Sequence, residues 1–257
     1  MRKIVINNQK GGSGKTTTAV NISAALAEKG KKVLLVDLDP GASATIWLLG
    51  NERQIPDKDL FDVGSSSESL EDLVTPTQVK NMDIIPFNPV RNKNTKKLKD
   101  NPSRSQILKN KFRHIDDDLY DYIIFDCGPG LSLTTVNALA AANELLIPVT
   151  THSLTLYGVI SLLETMESVQ VKINPDLHIT GILPCRVDPN LRHNMEILEL
   201  LIERFGVLVY NTYIREDIKI AECPSFFQTI FQYDSKSTGA VDYRALAAEI
   251  IEQESKK

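Results

Sequence analysis

The stretch Gln9-Lys10-Gly11-Gly12-Ser13-Gly14-Lys15-Thr16-Thr17 decides the fold of this 257-residue chain. A predicted strand, 3–7, precedes the stretch, and a helical pattern over 15–29 follows it. Glycines at such a junction let the backbone turn tightly and point successive N–H groups at phosphate oxygens. The start of the helix adds free N–H donors and the positive end of the helix dipole. The stretch therefore predicts a phosphate-binding loop, called the P-loop below.

The predicted P-loop offers one group for each part of a nucleotide's phosphate chain. Lys15 is expected to reach the β- and γ-phosphates, and the Thr16 hydroxyl to bind Mg²⁺. Thr17 could hold the α-phosphate. The usual pattern, GxxxxGK[ST], has glycine where this chain has Gln9. The loop predicts a nucleotide and Mg²⁺ as its ligands. The predicted nucleotide-binding residues of the loop are Lys10, Gly11, Gly12, Ser13, Gly14, Lys15, Thr16 and Thr17.

Short β-branched runs alternate with longer helical patterns along the rest of the chain. The run Val33–Asp37 is continuously apolar, as in strands that are buried on both faces of a parallel sheet. Further strands are predicted at 84–87, 122–126, 145–149, 179–183 and 207–210, and further helices near 105–118, 131–142, 157–171, 191–205 and 240–253. The alternation predicts an α/β fold, a doubly wound, mostly parallel sheet flanked by helices, in a single domain over residues 1–257.

Two of the predicted strands end in aspartates. Because ligands bind such sheets beyond the carboxyl ends of the strands, these carboxylates are expected beside the P-loop. Asp39 could position and polarise an attacking water, while Asp37 could serve the magnesium shell or hold the loop. The run Tyr122–Asp126 is typical of a Walker B strand, whose aspartate, Asp126, would hold Mg²⁺ through a water. The predicted metal-binding residues are Thr16, Asp126 and Asp37.

The stretch Lys10-Gly-Gly-x-Gly-Lys-Thr-Thr resembles the deviant Walker A box of the ParA/MinD ATPases, in which an extra signature lysine, here Lys10, opens the loop. The segment 37–40 resembles the first switch of that family. The segments 221–226 and 233–240 resemble the A/S-E-A-P-S-F and Y-D-P-x-S-x-G-A segments of its ParA/Soj partition branch. The resemblance covers nearly the whole chain. One departure follows Asp126, where the family usually has two prolines and a serine and this chain has Gly128-Pro129-Gly130.

The resemblance implies an ATP-dependent homodimer in which Lys10 reaches the phosphates bound by the other subunit. The implied catalytic residues are then Lys10, Lys15 and Asp39, and Arg215 and Asp217 correspond to residues that contact adenine. Hydrolysis would be slow until a ParB-like DNA-binding protein stimulates it. The dimer would bind DNA nonspecifically and drive partition of plasmid or chromosome DNA. Two alternatives remain open: a ParA-like ATPase that positions a protein cargo on the nucleoid, and a MinD-like membrane switch.

Charge and composition bear on these partners. The net charge of −4 gives no global sign of nucleic-acid binding, so DNA binding would depend on a local patch. The stretch 91–114 carries nine lysines and arginines and one acid, and is either a solvated face or such a patch. Glu216 stands where the family has an arginine, which leaves Arg192, Lys219 and the stretch Lys96–Lys99 as the predicted DNA contacts.

Other classes of protein are less compatible with the sequence. Three cysteines far apart argue against a disulfide framework and against an iron–sulfur or zinc site. The end of the chain, 247–257, has acids beside its apolar residues, which argues against membrane binding. No apolar run approaches the roughly 18 residues of a membrane span, so a cytoplasmic protein is expected, and the resemblance to the ParA/Soj branch implies association with the nucleoid. Intact Lys15, Asp39 and Asp126 argue against a binding module without catalysis.

Overall fold

The computed structural model of the protein describes residues 1–50, 60–61, 70–88, 104–113, 115–152 and 155–256. These residues form one eight-stranded sheet in the order β3-β4-β2-β5-β1-β6-β7-β8. The strands are β1 (Arg2–Ile6), β2 (Val33–Asp37), β3 (Thr75–Pro76), β4 (Met82–Ile85), β5 (Tyr122–Asp126), β6 (Glu144–Thr150), β7 (His178–Val187) and β8 (Ile214–Arg215). Every pairing is parallel except that of β3 with β4.

Helices lie on both faces of the sheet. They are α1 (Lys15–Glu28), α2 (Ser43–Leu49), α3 (Ile107–Phe112), α4 (Leu133–Ala141), α5 (Thr155–Lys172), α6 (Arg192–Phe205), α7 (Ile218–Glu222), α8 (Ile230–Tyr233) and α9 (Thr238–Glu252). Short 3₁₀ helices cover Leu70–Leu73, Gly206–Leu208, Cys223–Phe226 and Gln253–Lys256. Across the described ranges, no helix is both long enough and apolar enough to span a membrane.

Two apolar cores, one on each face, account for the continuous apolar strands. Successive side chains of a strand point to opposite faces. Leu34 of β2 therefore belongs to the core that includes side chains of α3, α4, α5 and α6, while its neighbour Leu35 belongs to the core that includes side chains of α1, α2 and α9. All five residues of β2 and of β5 are buried. The prediction of a doubly wound, mostly parallel α/β sheet is confirmed.

The bounds of several elements differ from the predictions. The predicted strand 207–210 is wrong: Gly206 turns the chain at φ +52°, Gly206–Leu208 is a 3₁₀ helix, and only a single bridge joins Val209 to Ile182. The eighth strand is the two-residue β8, which no pattern indicated. β4 begins two residues before its predicted start and ends at Ile85, because Pro86 cannot donate to a sheet. The helix predicted at 105–118 is shorter, and α2, α7 and α8 were not predicted.

The order of the strands places three loops side by side. β5 lies between β2 and β1, and Asp126 at its end pairs in register with Asp37 on one side and Ile6 on the other. The loops that leave the carboxyl ends of β1, β2 and β5 therefore meet at one edge of the sheet. These loops are the P-loop, the loop after Asp37 and the loop after Asp126.

Candidate nucleotide-binding site

The P-loop turns on glycines whose backbone conformation excludes most side chains. Gly12 has φ +72° and Gly14 has φ +90°, in the left-handed region that glycine adopts at little cost. Helix α1 begins at Lys15, directly after Gly14, and no side chain caps it. The first N–H groups of a helix have no partner within the helix. This helix start can therefore donate to an anion, as the sequence predicted.

Residues before the glycines fasten the loop to the sheet. The Asn8 side chain donates to the Pro148 carbonyl at the end of β6 at 2.7 Å, and accepts from the Lys10 N–H at 3.0 Å. The Lys10 side chain itself is exposed, and no polar partner is found for it among the described residues. The backbone of Lys10 is thus held while its ammonium group stays free to reach outward.

Lys15 lies at the centre of the three loops. Only 7% of it is exposed, and its Nζ donates to the Lys10 carbonyl at 3.1 Å. Burial lowers the pKa of Lys15, and the nearby carboxylates of Asp126 and Asp39 oppose that shift. The side chain therefore faces the two acids that the sequence assigned to metal binding and water activation.

Asp126 is the most strongly perturbed acid of the site. It is fully buried, and neither carboxylate oxygen has a hydrogen-bond partner in the part of the chain that the structure describes. Burial raises the pKa of Asp126 well above its ordinary value, and Asp37 and Asp39 add to the rise, while Thr16 and Lys15 oppose it. An unpaired buried carboxylate is costly unless a ligand compensates it. Its surroundings suit a divalent cation held between Thr16, Asp126 and phosphate oxygens.

Asp37 holds the loop that follows it. Its Oδ2 accepts from the N–H and the hydroxyl of Thr45 at 2.8 and 2.7 Å, and its Oδ1 accepts from the Asp39 N–H at 3.0 Å. Burial raises the pKa of Asp37 to about 6, although the bonds from Thr45 oppose that shift. The sequence predicted that Asp37 either holds the loop or serves the magnesium shell. These contacts correspond to the first role, and the second stays a prediction.

Asp39 lies at the mouth of the site. It is half-buried, and its Oδ1 accepts from the Gly41 N–H at 3.0 Å. The Leu38 N–H donates to the Asp126 carbonyl at 2.9 Å, which joins the second loop to the third. The carboxylate is therefore placed near Lys15 and Asp126 by the backbone on both sides of it.

The two predicted adenine contacts make bonds within the protein. The Arg215 guanidinium pairs with Asp242 of α9, at distances from 2.6 to 3.2 Å. The Asp217 carboxylate accepts from the Lys219 N–H at the start of α7, and from the Thr238 hydroxyl and the Gly239 N–H at the start of α9. Both side chains thus join β8 and α7 to α9, and their contact with a base stays a prediction.

The predicted DNA contacts that the structure describes are paired with acids. Arg192 donates to Glu196 at 2.7 Å, and Lys219 contacts Asp234. Glu216, the departure from the family, accepts from Arg186 at 2.9 Å. The stretch Lys96–Lys99 lies outside the described residues, whereas α3, at the end of the basic region, exposes Lys109.

Sequence reasoning missed several polar residues that support the site. The Asn7 side chain donates to the Gly128 carbonyl at 3.4 Å, Thr45 holds Asp37, and the Asn21 side chain joins α1 to the Ile230 N–H at 3.0 Å. Asn7 could have been noticed as a polar residue at the end of an apolar strand. No local pattern marks Thr45 or Asn21, since their partners lie on other elements.

Three comparisons with known proteins agree with this geometry. A family model described as an AAA domain matches residues 1–179. The chain is 39% identical to the chromosome-partitioning ATPase Soj of Thermus thermophilus, covering 98% of this chain and 96% of that protein. It is 34% identical to the chromosome partitioning protein ParA of Myxococcus xanthus, covering 100% and 90%.

Among solved structures, the chain is similar to the crystal structure of cobyrinic acid a,c-diamide synthase from Mycobacterium smegmatis with bound ADP and magnesium. The TM-score is 0.84 at 30% identity, and the match covers 100% of this chain and 96% of that one. That protein holds a nucleotide and the metal ion for which the three loops described above are suited.

Proposed function

The chain belongs to the ParA/Soj family of P-loop ATPases, and we propose that it is a single-domain, ATP-dependent switch that dimerises, binds DNA nonspecifically and drives partition of plasmid or chromosome DNA. The observation that carries the proposal is end-to-end similarity to two chromosome-partitioning proteins in a chain that keeps Lys10, Lys15, Asp39 and Asp126 at one edge of its sheet.

Binding of the ATP phosphates is assigned to the P-loop. Backbone N–H groups of residues 11–16 donate to the phosphate oxygens, and Lys15 neutralises charge on the β- and γ-phosphates. Lys15 supplies this charge inside a site that is largely shielded from water, where an ion pair is stronger than at the surface. The Thr17 hydroxyl is assigned to the α-phosphate, and Arg215 and Asp217 to the neighbourhood of the base.

Magnesium binding is assigned to Thr16 and Asp126. When bound, Mg²⁺ would neutralise charge that develops on the phosphates during transfer. The two unpartnered oxygens of Asp126 support this assignment, because they can accept from metal-bound water without giving up a bond within the protein. Asp37 is assigned a supporting role in this site, because it holds the Asp39 loop and adds negative charge beside Asp126.

Hydrolysis is assigned to Asp39. Its carboxylate, held by the Gly41 N–H, would orient a water for in-line attack on the γ-phosphate and accept its proton. ATP hydrolysis would be slow until a ParB-like protein or a cargo adaptor binds. Such a slow rate suits a protein that acts through its ATP-bound conformation. Retention of both ATP and the dimer between such encounters follows from a slow rate.

Dimerisation is assigned to Lys10. Its exposed ammonium would reach the phosphates bound by a second copy and act there as an arginine finger does in other P-loop enzymes. ATP would thereby stabilise a dimer that ADP does not. Two weak basic surfaces, carried by Arg192, Lys219 and the stretch Lys96–Lys99, would then act together on DNA, which raises their combined affinity.

Positioning of a protein cargo on the nucleoid is the second candidate. The pairing of Lys219 with Asp234 and of Arg186 with Glu216 favours it, because acids offset the positive charge on the surface assigned to DNA. The chemistry of the nucleotide site would be the same in both cases, and only the partner would differ.

A DNA gel-shift titration with ATP, with ADP and without nucleotide tests the proposal, at low and then at higher salt. Binding that requires ATP, ignores DNA sequence and weakens steeply with salt is the expected result. Absence of DNA binding in all three nucleotide states would contradict the proposal that the dimer binds DNA. The positioning of a protein cargo would then be the better proposal.

A further inference from the structure

One carboxylate joins the starts of two helices at the carboxyl ends of the strands. Asp217 lies between β8 and α7 and is half-buried. Its Oδ1 accepts from the Lys219 N–H at 3.0 Å, in the first turn of α7. Its Oδ2 accepts from the Thr238 hydroxyl at 2.8 Å and from the Gly239 N–H at 2.9 Å, in the first turn of α9. Asp217 therefore caps α7 and holds α9 with the same side chain.

The surroundings of this carboxylate are tightly packed. A Cβ added to Gly239 would lie 2.5 Å from Ile220 Cδ1 and 3.4 Å from Asp217 Oδ2, so α7 and α9 are in close contact at this glycine. Burial alone would raise the pKa of Asp217, but the hydrogen bonds that its carboxylate accepts outweigh burial and hold the pKa below its ordinary value. The carboxylate is therefore ionised at neutral pH, the form that accepts all of these bonds.

A second acid holds α9 to the end of β8. Asp242, early in α9, accepts from the Arg215 N–H at 2.9 Å and from the Arg215 guanidinium at 2.6 to 3.2 Å. Only 7% of Asp242 is exposed, so its charge depends on this partner. The two acids thus point in opposite directions along the chain: Asp242 of α9 binds β8, and Asp217 after β8 binds α9.

β8 and α9 lie beside the P-loop. A Cβ added to Gly14 would lie 3.7 Å from both Cβ and Sγ of Cys185, so the end of the P-loop lies against β7. Cys185 pairs in register with Ile214 of β8. The Thr18 hydroxyl, in the first turn of α1, lies 3.5 Å from the Tyr243 hydroxyl of α9. β8 and α9 therefore border the start of α1.

The strand order separates the two ends of a bound nucleotide. Asp39 and Asp126 follow β2 and β5, on one side of β1, whereas β7 and β8 lie on its other side. The proposed function assigns the metal ion and the terminal phosphate to the region of these two aspartates. The nucleoside, at the opposite end of the phosphate chain, then extends toward β8 and α9.

We infer that Asp217 is a positioning residue: by holding α9 to β8 and α7, it fixes the protein surface against which the nucleoside binds. The inference rests on the proposed function, which places a nucleotide at the P-loop. A surface that is already in place need not be ordered when the ligand binds, so the bonds of Asp217 raise nucleotide affinity through α9. The phosphate chain alone should not depend on them, because the P-loop and Lys15 lie on other elements.

Calorimetric titration with two probes, Mg·ADP and magnesium tripolyphosphate, tests this inference. Asp217→Ala should lower the affinity for ADP about tenfold, because the bonds to both helices are lost. Thr238→Val removes only the hydroxyl that donates from α9, and should lower the affinity for ADP about threefold. The affinity for tripolyphosphate should not change in either variant. Thr238 is exposed, so its variant keeps the test decisive if Asp217→Ala fails to fold.

A matched control and a double variant complete the experiment. Asp116 is exposed, and its Oδ1 accepts from the Asp118 N–H at 3.1 Å before the amino end of β5, far from the P-loop along that strand. Asp116→Ala should bind both probes as wild type does. Adding Thr238→Val to Asp217→Ala should cause no further loss of ADP affinity, because the acceptor of the Thr238 hydroxyl is already absent.

The outcomes separate this inference from the proposed function. If wild type binds neither probe, the proposed function is wrong, and the inference is wrong with it. If Asp217→Ala loses ADP affinity while Thr238→Val keeps it, Asp217 acts by direct contact with the nucleotide; the inference is then overturned and the proposed function stands. Equal losses for ADP and tripolyphosphate, or no loss of ADP affinity in either variant, would also overturn the inference.

Discussion

The two ends of strand β5 handle buried charge in opposite ways. At its amino end, the Tyr122 ring lies beneath the guanidinium of Arg2, which pairs with Glu144 and donates to the Ile250 carbonyl of α9. At its carboxyl end, Asp126 is fully buried, and both its oxygens lack a partner within the described protein. The same sheet therefore has one edge whose charged groups are paired within the protein and one edge where the oxygens of a buried acid have no hydrogen-bond partner among the described residues.

The amino edge has the features of a structural network. The Arg2 guanidinium donates to both oxygens of Glu144, to the Ile250 carbonyl and to Gln253. Glu144 is 2% exposed, so its charge depends on Arg2. Because every group here has its partner, this edge joins β1, β6 and the end of α9 and needs no further molecule.

At the carboxyl edge, the buried acid Asp126 has no such partner among the described residues. A buried acid that the fold leaves unpaired reduces stability, and such sites cluster where a ligand restores the balance. The hydrogen bonds therefore distinguish the two acids: Glu144 accepts from Arg2 and stabilises the fold, whereas Asp126 has no such bond and is a candidate for binding a ligand. The burial of the two acids does not differ enough to make that distinction.

The largest effect is expected at the most exposed charge of the carboxyl edge. Lys10→Ala should keep ATP binding but abolish ATP-dependent dimerisation, and lower the hydrolysis rate by about 10³-fold or more, as loss of an arginine finger does. Light scattering with ATP and with ADP measures the dimer. Lys109→Ala, which removes an exposed lysine of α3, is the control. Unchanged dimerisation of Lys10→Ala would contradict the cross-subunit role.

A large effect on stability is expected at the amino edge. Glu144→Gln leaves Arg2 without its charged partner in a buried site, and should lower the free energy of unfolding by about 3–5 kcal/mol. Chemical denaturation without nucleotide measures it. Equal stability of Glu144→Gln and wild type would show that this edge does not depend on its ion pair.

A smaller effect is expected where the carboxyl edge is itself paired. Thr45→Val keeps the shape of the side chain but removes the hydroxyl that donates to Asp37 and accepts from the Phe87 N–H. The free energy of unfolding should fall by about 1–3 kcal/mol, because two buried groups lose a partner. Thr134→Val, at a hydroxyl that contacts only Ser132 among its described partners, is the comparison and should cost less. A smaller loss for Thr45→Val than for Thr134→Val would contradict the anchoring role of Asp37.

The sequence predicts the P-loop and both strand-end aspartates because these features are local. A glycine-rich turn between a strand and a helix occupies consecutive residues, and an apolar run that ends in an acid shows where a buried strand stops. In contrast, the role of Thr45 depends on helix α2, which no periodic pattern marks, and the strand predicted at 207–210 became a 3₁₀ helix. The bonds of Asp217 with Thr238 and Gly239 join residues on different elements, so only the folded structure brings them out.

Thermal unfolding of wild type and Asp126→Asn, each with and without Mg·ADP, tests the central claim most directly. Without nucleotide, Asp126→Asn should be at least as stable as wild type, since a neutral amide replaces an acid whose ionisation is disfavoured by burial. A ligand at about 100 times its Kd adds about 2.7 kcal/mol, so Mg·ADP should raise the Tm of wild type by about 5–10 °C. It should raise that of Asp126→Asn by much less. A large loss of stability in Asp126→Asn without nucleotide, or an equal gain from Mg·ADP in both proteins, would contradict the account.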